Sequence, residues 1–258
     1  MKFDPEAWVF SRPSLGELET VLISPAKQPP QSLLVLCHGF GAPGTDLVNL
    51  FDDLLYYLPD VSPPFAVLFP AGPVDLEDQG LPGGRAWWRL NMAKLMQMAA
   101  TNSFHEMRDV EPPEIHEVRG KLVSCIQATL DRLCNDHKLT TELPVVLGGF
   151  SQGAMLAVDT LLRGNLANVN GLFAYSGALI CESAWRESSA KVRGLSLVQS
   201  HGTQDTVLPF ETGQWLFELL SELGMKGGML RFDGPHTIPS EALMQSAKLL
   251  HTINNSKD

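Results

Sequence analysis

The pentapeptide Gly149-Phe150-Ser151-Gln152-Gly153 stands between an apolar run, Val145-Val146-Leu147, and a helix-forming run from Ala154 to Leu162. A chain that turns here from strand straight into helix has no room for a Cβ two residues to either side of the corner. Glycine at 149 and 153 tolerates that contact, and the serine between them is held in a strained conformation with its hydroxyl exposed. Few arrangements satisfy this. A buried strand must run directly into a helix, with a polar side chain presented at the turn. A Gly-rich connection of no special kind would fit the pentapeptide alone; its flanks and two stretches downstream favour the sharper reading.

Those flanks belong to a rhythm that runs through the chain. Continuous apolar runs at Leu18–Ile23, Leu33–Cys37, Phe65–Phe69, Val145–Gly148, Gly171–Tyr175, Leu195–Ser200 and Met229–Phe232 predict strands buried on both faces, as in a parallel sheet. Helices are expected between them: Asp46 to Leu58 with Thr45 as N-cap, about Pro113 to His137, Phe210 to Leu223, and Ser240 to Ile253. The alternation predicts an α/β fold with a mostly parallel central sheet and helices on both faces. At 258 residues the chain is expected to form a single domain, 1–258. The stretch 75–111 breaks the rhythm. Met92, Leu95, Met96 and Ala99 are spaced as on a helix, and a lid over the carboxyl end of the sheet would use them against varied apolar shapes. The same spacing fits a helix that merely covers the core.

Composition excludes some classes of function. A formal charge of −10 argues against nucleic acid as a partner and against docking on anionic membranes. No run approaches the roughly 20 apolar residues that a spanning helix needs, so stable membrane insertion is not expected. The start, Met1-Lys2-Phe3-Asp4-Pro5-Glu6, lacks the apolar core of a secretion signal. Cys37, Cys125, Cys134 and Cys181 are scattered, which suits reduced thiols in a cytoplasmic protein. No metal site is expected, because His and Cys do not cluster at ligand spacing.

A serine hydroxyl needs a base to take its proton and a group to orient that base. Strand, G-x-S-x-G, helix is the nucleophile elbow of the α/β-hydrolases, in which serine, acid and histidine come in that order. The acid candidate is Asp205, just past the run Leu195–Ser200. The base candidate is His236, just past the run ending at Phe232. Both lie on loops at the carboxyl ends of strands, where open α/β sheets hold their ligands. Weaker rivals are Asp159, in mid-helix; Asp233, too near His236; and Glu182, the best substitute acid. His38 and His201 each precede a glycine at a strand end and fit a loop-shaping role. Oxyanion donors are expected from the amide of Gln152 and from the loop Cys37 to Gly44, where Phe40 is the candidate. Trp87, Trp88, Met96 and Leu208 are candidate substrate contacts. Gly39-Phe40-Gly41-Ala42-Pro43-Gly44 also matches G-x-G-x-x-G. The next strand run ends at Phe69-Pro70-Ala71-Gly72 without the acid that a dinucleotide ribose requires, and Pro43 removes an amide.

HGFG at 38–41, GFSQG at 149–153, HGTQDTVLP at 201–209 and PHTIP at 235–239 together resemble the phospholipase/carboxylesterase family of α/β-hydrolases, from about Leu33 to Leu250. The resemblance implies Ser151, Asp205 and His236 as a triad, Phe40 and Gln152 as oxyanion donors, and an aromatic pair, Trp87-Trp88, beside an acyl pocket. Pro235 stands where the family usually has Gly before the histidine, the loop after His38 lacks an acid, and the segment from Asn91 to Pro113 is longer. A serine carboxylesterase for small to medium acyl chains, without metal or organic cofactor, is therefore expected. The same triad serves an acyl-protein thioesterase or a lysophospholipase. A non-catalytic ligand-binding member is the reading from another class. A homodimer is compatible with the sequence and demanded by none of it.

Overall fold

A computed structural model of the chain describes residues 5–59, 64–188 and 192–255. Its first strands are β1 (Trp8–Ser11), β2 (Ser14–Leu15), β3 (Leu18–Pro25), β4 (Leu33–Cys37) and β5 (Ala66–Pro70). A two-stranded ribbon comes next, β6 (Val74–Asp75) and β7 (Arg85–Ala86), and then β8 (Val145–Phe150), β9 (Val169–Tyr175), β10 (Ser196–Gly202) and β11 (Lys226–Phe232). The main sheet runs in the order β1-β3-β5-β4-β8-β9-β10-β11, with β2 beside β3. From β5 to β11 every pairing is parallel; β3 runs antiparallel to β1, β2 and β5.

The helices are α1 (Leu50–Tyr57), α2 (Met92–Thr101), α3 (Ile115–His137), α4 (Gln152–Arg163), α5 (Glu182–Glu187), α6 (Phe210–Glu222) and α7 (Ser240–Asn255). Two cores explain why the strands are apolar without interruption. Leu33, Val35 and Cys37 of β4 pack with α3, α4 and α6, while Leu34 and Leu36 pack with α1 and α7. Each fully buried Leu or Val contributes roughly 1.5–3 kcal/mol, so a polar residue on either face would be costly. The fold is the expected α/β-hydrolase architecture, with helices on both faces of a mostly parallel sheet.

The departures are local. Helix α1 starts at Leu50, not Asp46, and Asn49 rather than Thr45 occupies its N-cap. Residues 45–51 instead make successive i→i+3 turns, Val48 N–H to Thr45 O and Leu50 N–H to Leu47 O, a tighter path than the α-helix. Strand β11 begins three residues before the expected Met229, because parallel pairing with β10 recruits Gly227 and Gly228 despite their poor strand propensity. β1, β2, the β6–β7 ribbon and α5 are too short to show a period. Within the insertion, α2 has a cap at each end: Asn91 Oδ1 accepts from Lys94 N–H, and Asn102 takes the left-handed conformation that stops the helix.

Candidate active site

The loops after β4, β5, β8, β10 and β11 open at one edge of the sheet, and the candidate residues gather there. At the end of β8, Ser151 has φ 55° and ψ −118°, outside the regions a serine ordinarily adopts. A Cβ on Gly149 would collide with the Gly153 backbone, and one on Gly153 with the carbonyl oxygens of Cys37 and His38. The close approach of α4 to β4 thus requires glycine at both positions. Ser151 N–H is tied to Tyr175 O at 2.9 Å, which fixes the corner to the neighbouring strand.

Asp205 comes just after β10, and its carboxylate is buried. Oδ1 accepts from the amides of Val207 and Leu208 at 2.9 and 2.8 Å. Oδ2 accepts from His236 Nδ1 at 2.6 Å and lies 3.3 Å from His201 Nε2. Burial alone would raise the Asp205 pKa; hydrogen bonds from His201, His236 and the Leu208 amide outweigh it and hold the carboxyl below its usual range. The His236 ring also packs on Phe150, with centroids 4.7 Å apart.

Ser151 and His236 line one cavity of about 480 Å³. Its walls are largely apolar: Trp88, Leu95, Met98, Met107, Met155, Ile180 and Leu208 among them. Phe40 and Gln152 line it beside Ser151. Among the described residues, neither the Phe40 nor the Gln152 N–H has a hydrogen-bond partner within the protein. Gln152 is also the first residue of α4, where the helix dipole favours negative charge.

Two of the expected substrate contacts sit elsewhere. Trp87 is fully buried beneath the site and does not line the cavity. Its indole Nε1–H donates to His38 O at 2.8 Å, because a buried N–H must find an acceptor. Met96 is 68% exposed and lies outside the cavity wall; Met92, Lys94, Leu95 and Met98 are the α2 residues that line it. The helical spacing of the apolar residues in this segment was legible, but not which of them faces inward.

The rival acids are engaged elsewhere. Asp159 is buried against Arg119, Arg163 and Trp185. Glu182 pairs with Arg108 and Arg186, and Asp233 accepts from Gln204. His38 Nε2 accepts from Gly72 N–H at 2.8 Å, so the proton sits on Nδ1 and is donated to Gly39 O. Burial pushes the His38 pKa down to about 4, and nearby Arg85 adds to this against the opposing bond to Gly39. Burial also pushes the Cys125 and Cys181 thiols up to about 12. Among the described residues no three His, Cys, Asp or Glu side chains cluster as metal ligands would.

The Gln152 side chain escapes sequence reasoning altogether. It is buried, with Oε1 accepting from Trp87 N–H and Nε2 donating to Trp88 O, both at 2.9 Å. No periodicity marks it, since its partners lie more than sixty residues away. Ile180 carried a weak signal, its place just beyond the carboxyl end of a predicted strand.

A sequence model of the family described as Phospholipase/Carboxylesterase matches residues 18–254. Acyl-protein thioesterase 1 homolog 1 of Dictyostelium discoideum is 26% identical over 147 residues, 56% of this chain and 62% of that protein. Acyl-protein thioesterase 1 of Debaryomyces hansenii is 28% identical over 150 residues, 57% of this chain and 62% of that protein. The matches therefore span less than two thirds of the length of these relatives. Among solved structures, esterase PE8 is 25% identical with a TM-score of 0.68, over 95% of this chain and 99% of that one. A carboxylesterase from Mesorhizobium loti, 17% identical, shares the fold with a TM-score of 0.66 over 95% of this chain and 99% of its own.

Proposed function

The chain belongs to the phospholipase/carboxylesterase family, and within it we propose a serine carboxylesterase that hydrolyses esters of small to medium acyl chains. Ser151, His236 and Asp205 form the triad. The observation that carries this reading is the 2.6 Å bond from His236 Nδ1–H to buried Asp205, on a histidine that shares one apolar cavity with Ser151.

Ser151 Oγ attacks the acyl carbonyl carbon as its proton passes to His236 Nε2. Asp205 holds the imidazole by its Nδ1–H and stabilises the charge it acquires. The amides of Phe40 and Gln152 meet the oxyanion of the tetrahedral intermediate. His236 then gives its proton to the departing alcohol, leaving acyl-Ser151. Water attacks the same carbon with His236 as base, and the acid and free Ser151 result. No step calls on a metal or an organic cofactor.

The apolar cavity takes the acyl chain, and Trp88 and Leu208 contribute to its wall. Its volume of about 480 Å³ falls within the ordinary range for small-molecule sites. The stretch 75–111 acts as the lid of a single domain spanning the chain. A reducing, cytoplasmic setting belongs to the same reading, since the four cysteines are unbridged. No described helix is long and apolar enough to cross a membrane.

The names of the relatives favour a second substrate bond. An acyl-protein thioesterase would use the same acyl-enzyme, and the same cavity would take the chain. Intact-protein mass after a fluorophosphonate tests the shared core of both readings: one phosphonyl adduct on wild type and none on Ser151→Ala is expected. An adduct on both proteins, or none on folded wild type, would refute the assignment. Relative kcat/KM on an oxygen ester and a thioester of one acyl chain then separates the two.

A further inference from the structure

The Phe40 and Gln152 amides of the oxyanion site sit on separate loops, 38–44 after β4 and the elbow after β8. The ladder between β4 and β8 ends at Cys37 opposite Gly149, and each amide lies three residues past that last pair. A third segment, residues 85–88, touches both. Gln152 grips its backbone through two opposed bonds, Trp87 N–H to Oε1 and Nε2–H to Trp88 O, each 2.9 Å. The Trp87 indole grips the other loop, donating to His38 O at 2.8 Å and lying 5.1 Å from the His38 ring. Two further bonds hold the same loop to β7: Gly41 N–H to Arg85 O and Arg85 N–H to Ala42 O, both 2.9 Å.

We propose that Trp87 and the Gln152 side chain are positioning residues, a brace that sets the separation and aim of the Phe40 and Gln152 amides. The proposal rests on the serine-esterase function and adds to it a second task for Gln152, performed by its side chain and distinct from that of its own N–H. Trp87 is fully buried and outside the cavity wall, and Gln152 is 2% exposed with both ends of its side-chain amide bonded to the Trp87–Trp88 backbone. Water does not compete for their bonds. Each bond is directional, which an apolar contact of the same size would not be. The brace acts where the negative charge develops, so its loss lowers turnover and leaves ground-state binding of the acyl chain alone.

Trp87→Phe keeps a buried ring and removes the indole donor to His38 O; Gln152→Met keeps the volume and removes both backbone bonds. A fall in kcat of about 10- to 100-fold is expected for each, with KM changed less than about twofold, the range seen when donors are misplaced by an ångström or less. Affinity for a trifluoromethyl ketone, which forms the oxyanion on binding, falls by the same factor. Affinity for an unreactive ether of the same chain does not. A purely structural role would lower the melting temperature and leave the ratio of the two affinities unchanged, which would overturn the proposal. The double variant should lose less than the product of the single effects, because both ends belong to one brace; strict additivity would count against it. Phosphonylation by a fluorophosphonate keeps the two readings apart. An unlabelled wild type would sink both. Wild type labelled at Ser151, with Trp87→Phe labelled at the same rate, would sink the brace alone.

Discussion

Helices α4 and α2 wall the same cavity and are built in different ways. In α4 every residue from Gln152 to Leu162 is buried, and the helix lies between β4, β8, β9 and α3. In α2 only Met98 is buried, and Met92 and Met96 stand 45% and 68% exposed. On the proposed function, chemistry that depends on angles and tenths of an ångström falls to the first. The second offers apolar side chains whose positions need only exclude water. Anchors flank α2 without holding it: Trp87-Trp88 by Gln152 before it, and after it the Arg108–Glu182 pair with the Asp109 bonds to Ser183. A helix with so little buried surface opens at small cost relative to the whole fold, whereas α4 moves only if the core does. Changes on the α4 side are expected to alter turnover, and changes on the α2 side to alter which acyl chains are turned over.

The largest effect that would break this division is at the corner itself. Ser151→Ala should lower kcat by about 10⁴-fold or more without altering the far-ultraviolet circular dichroism, since alanine is held at φ 55° no less readily than serine. Retained turnover in that variant would move the nucleophile elsewhere. Asp205→Asn comes next, with an expected loss in kcat of about 10³-fold and little change in KM, because the amide neither fixes the imidazole tautomer nor balances its charge. A rise in KM with kcat preserved would instead make Asp205 part of the binding surface.

Legibility in the sequence divides along the same line. The strand runs were readable because burial on both faces forbids polar interruption, as in Leu33–Cys37. The positions of Ser151, Asp205 and His236 at one edge of the sheet were readable because each lies just past a run whose end is marked by glycine or by a polar cluster. The partnership of His236 with Asp205 rather than Asp233 was a matter of spacing, and the 2.6 Å bond agrees with it. Trp87 was expected with Trp88 among the substrate contacts, and in the fold it is buried outside the cavity wall. Two adjacent tryptophans must point in different directions, and the sequence does not say which is inward. Both are buried; Trp87 turns its indole to His38 O, and Trp88 forms part of the cavity wall. Met96 shares a helical stripe with Met92, Leu95 and Ala99, but the face of α2 turned to the cavity is rotated from that stripe and runs through Met92, Lys94, Leu95 and Met98. The Gln152 side chain had no local signal, since the backbone it binds is brought to it by the fold.

The frame side also predicts a pH dependence of stability. His38 is neutral in the native protein, with a pKa near 4 against 6.5 for an exposed histidine. Its folded pKa is the lower of the two, so its contribution is complete above about pH 6.5 and declines as the unfolded chain takes up the proton. By pH 4 the loss amounts to about 3 kcal/mol. Asp205, whose native pKa is also lowered, adds a further loss at still more acid pH, as the pH falls from the ordinary carboxylate range through its native value. Urea unfolding at pH 7 and pH 5 on wild type and His38→Gln isolates the first effect. The variant should lose about 2 kcal/mol less between the two pH values. Equal losses would mean that His38 is not the buried neutral group that fastens Gly72 to the loop.

The smallest effect is the most direct test of the division. Leu95 lines the cavity from α2, and Met96, its neighbour, faces solvent. A carboxylate at 95 would be stripped of water only when a long chain fills the apolar space, since a short chain leaves room for water to keep the charge hydrated. Leu95→Glu should therefore lower kcat/KM for long-chain esters by about tenfold and for acetyl or propionyl esters by less than about twofold, a discrimination of the size one or two methylenes provide. Met96→Glu should leave both within about twofold, as surface substitutions ordinarily do. If Met96→Glu discriminates by chain length and Leu95→Glu does not, α2 is rotated when substrate is bound, and the helix is a moving part of the site. If both lower kcat on short esters, α2 takes part in positioning the reacting groups, and selectivity and chemistry share one frame.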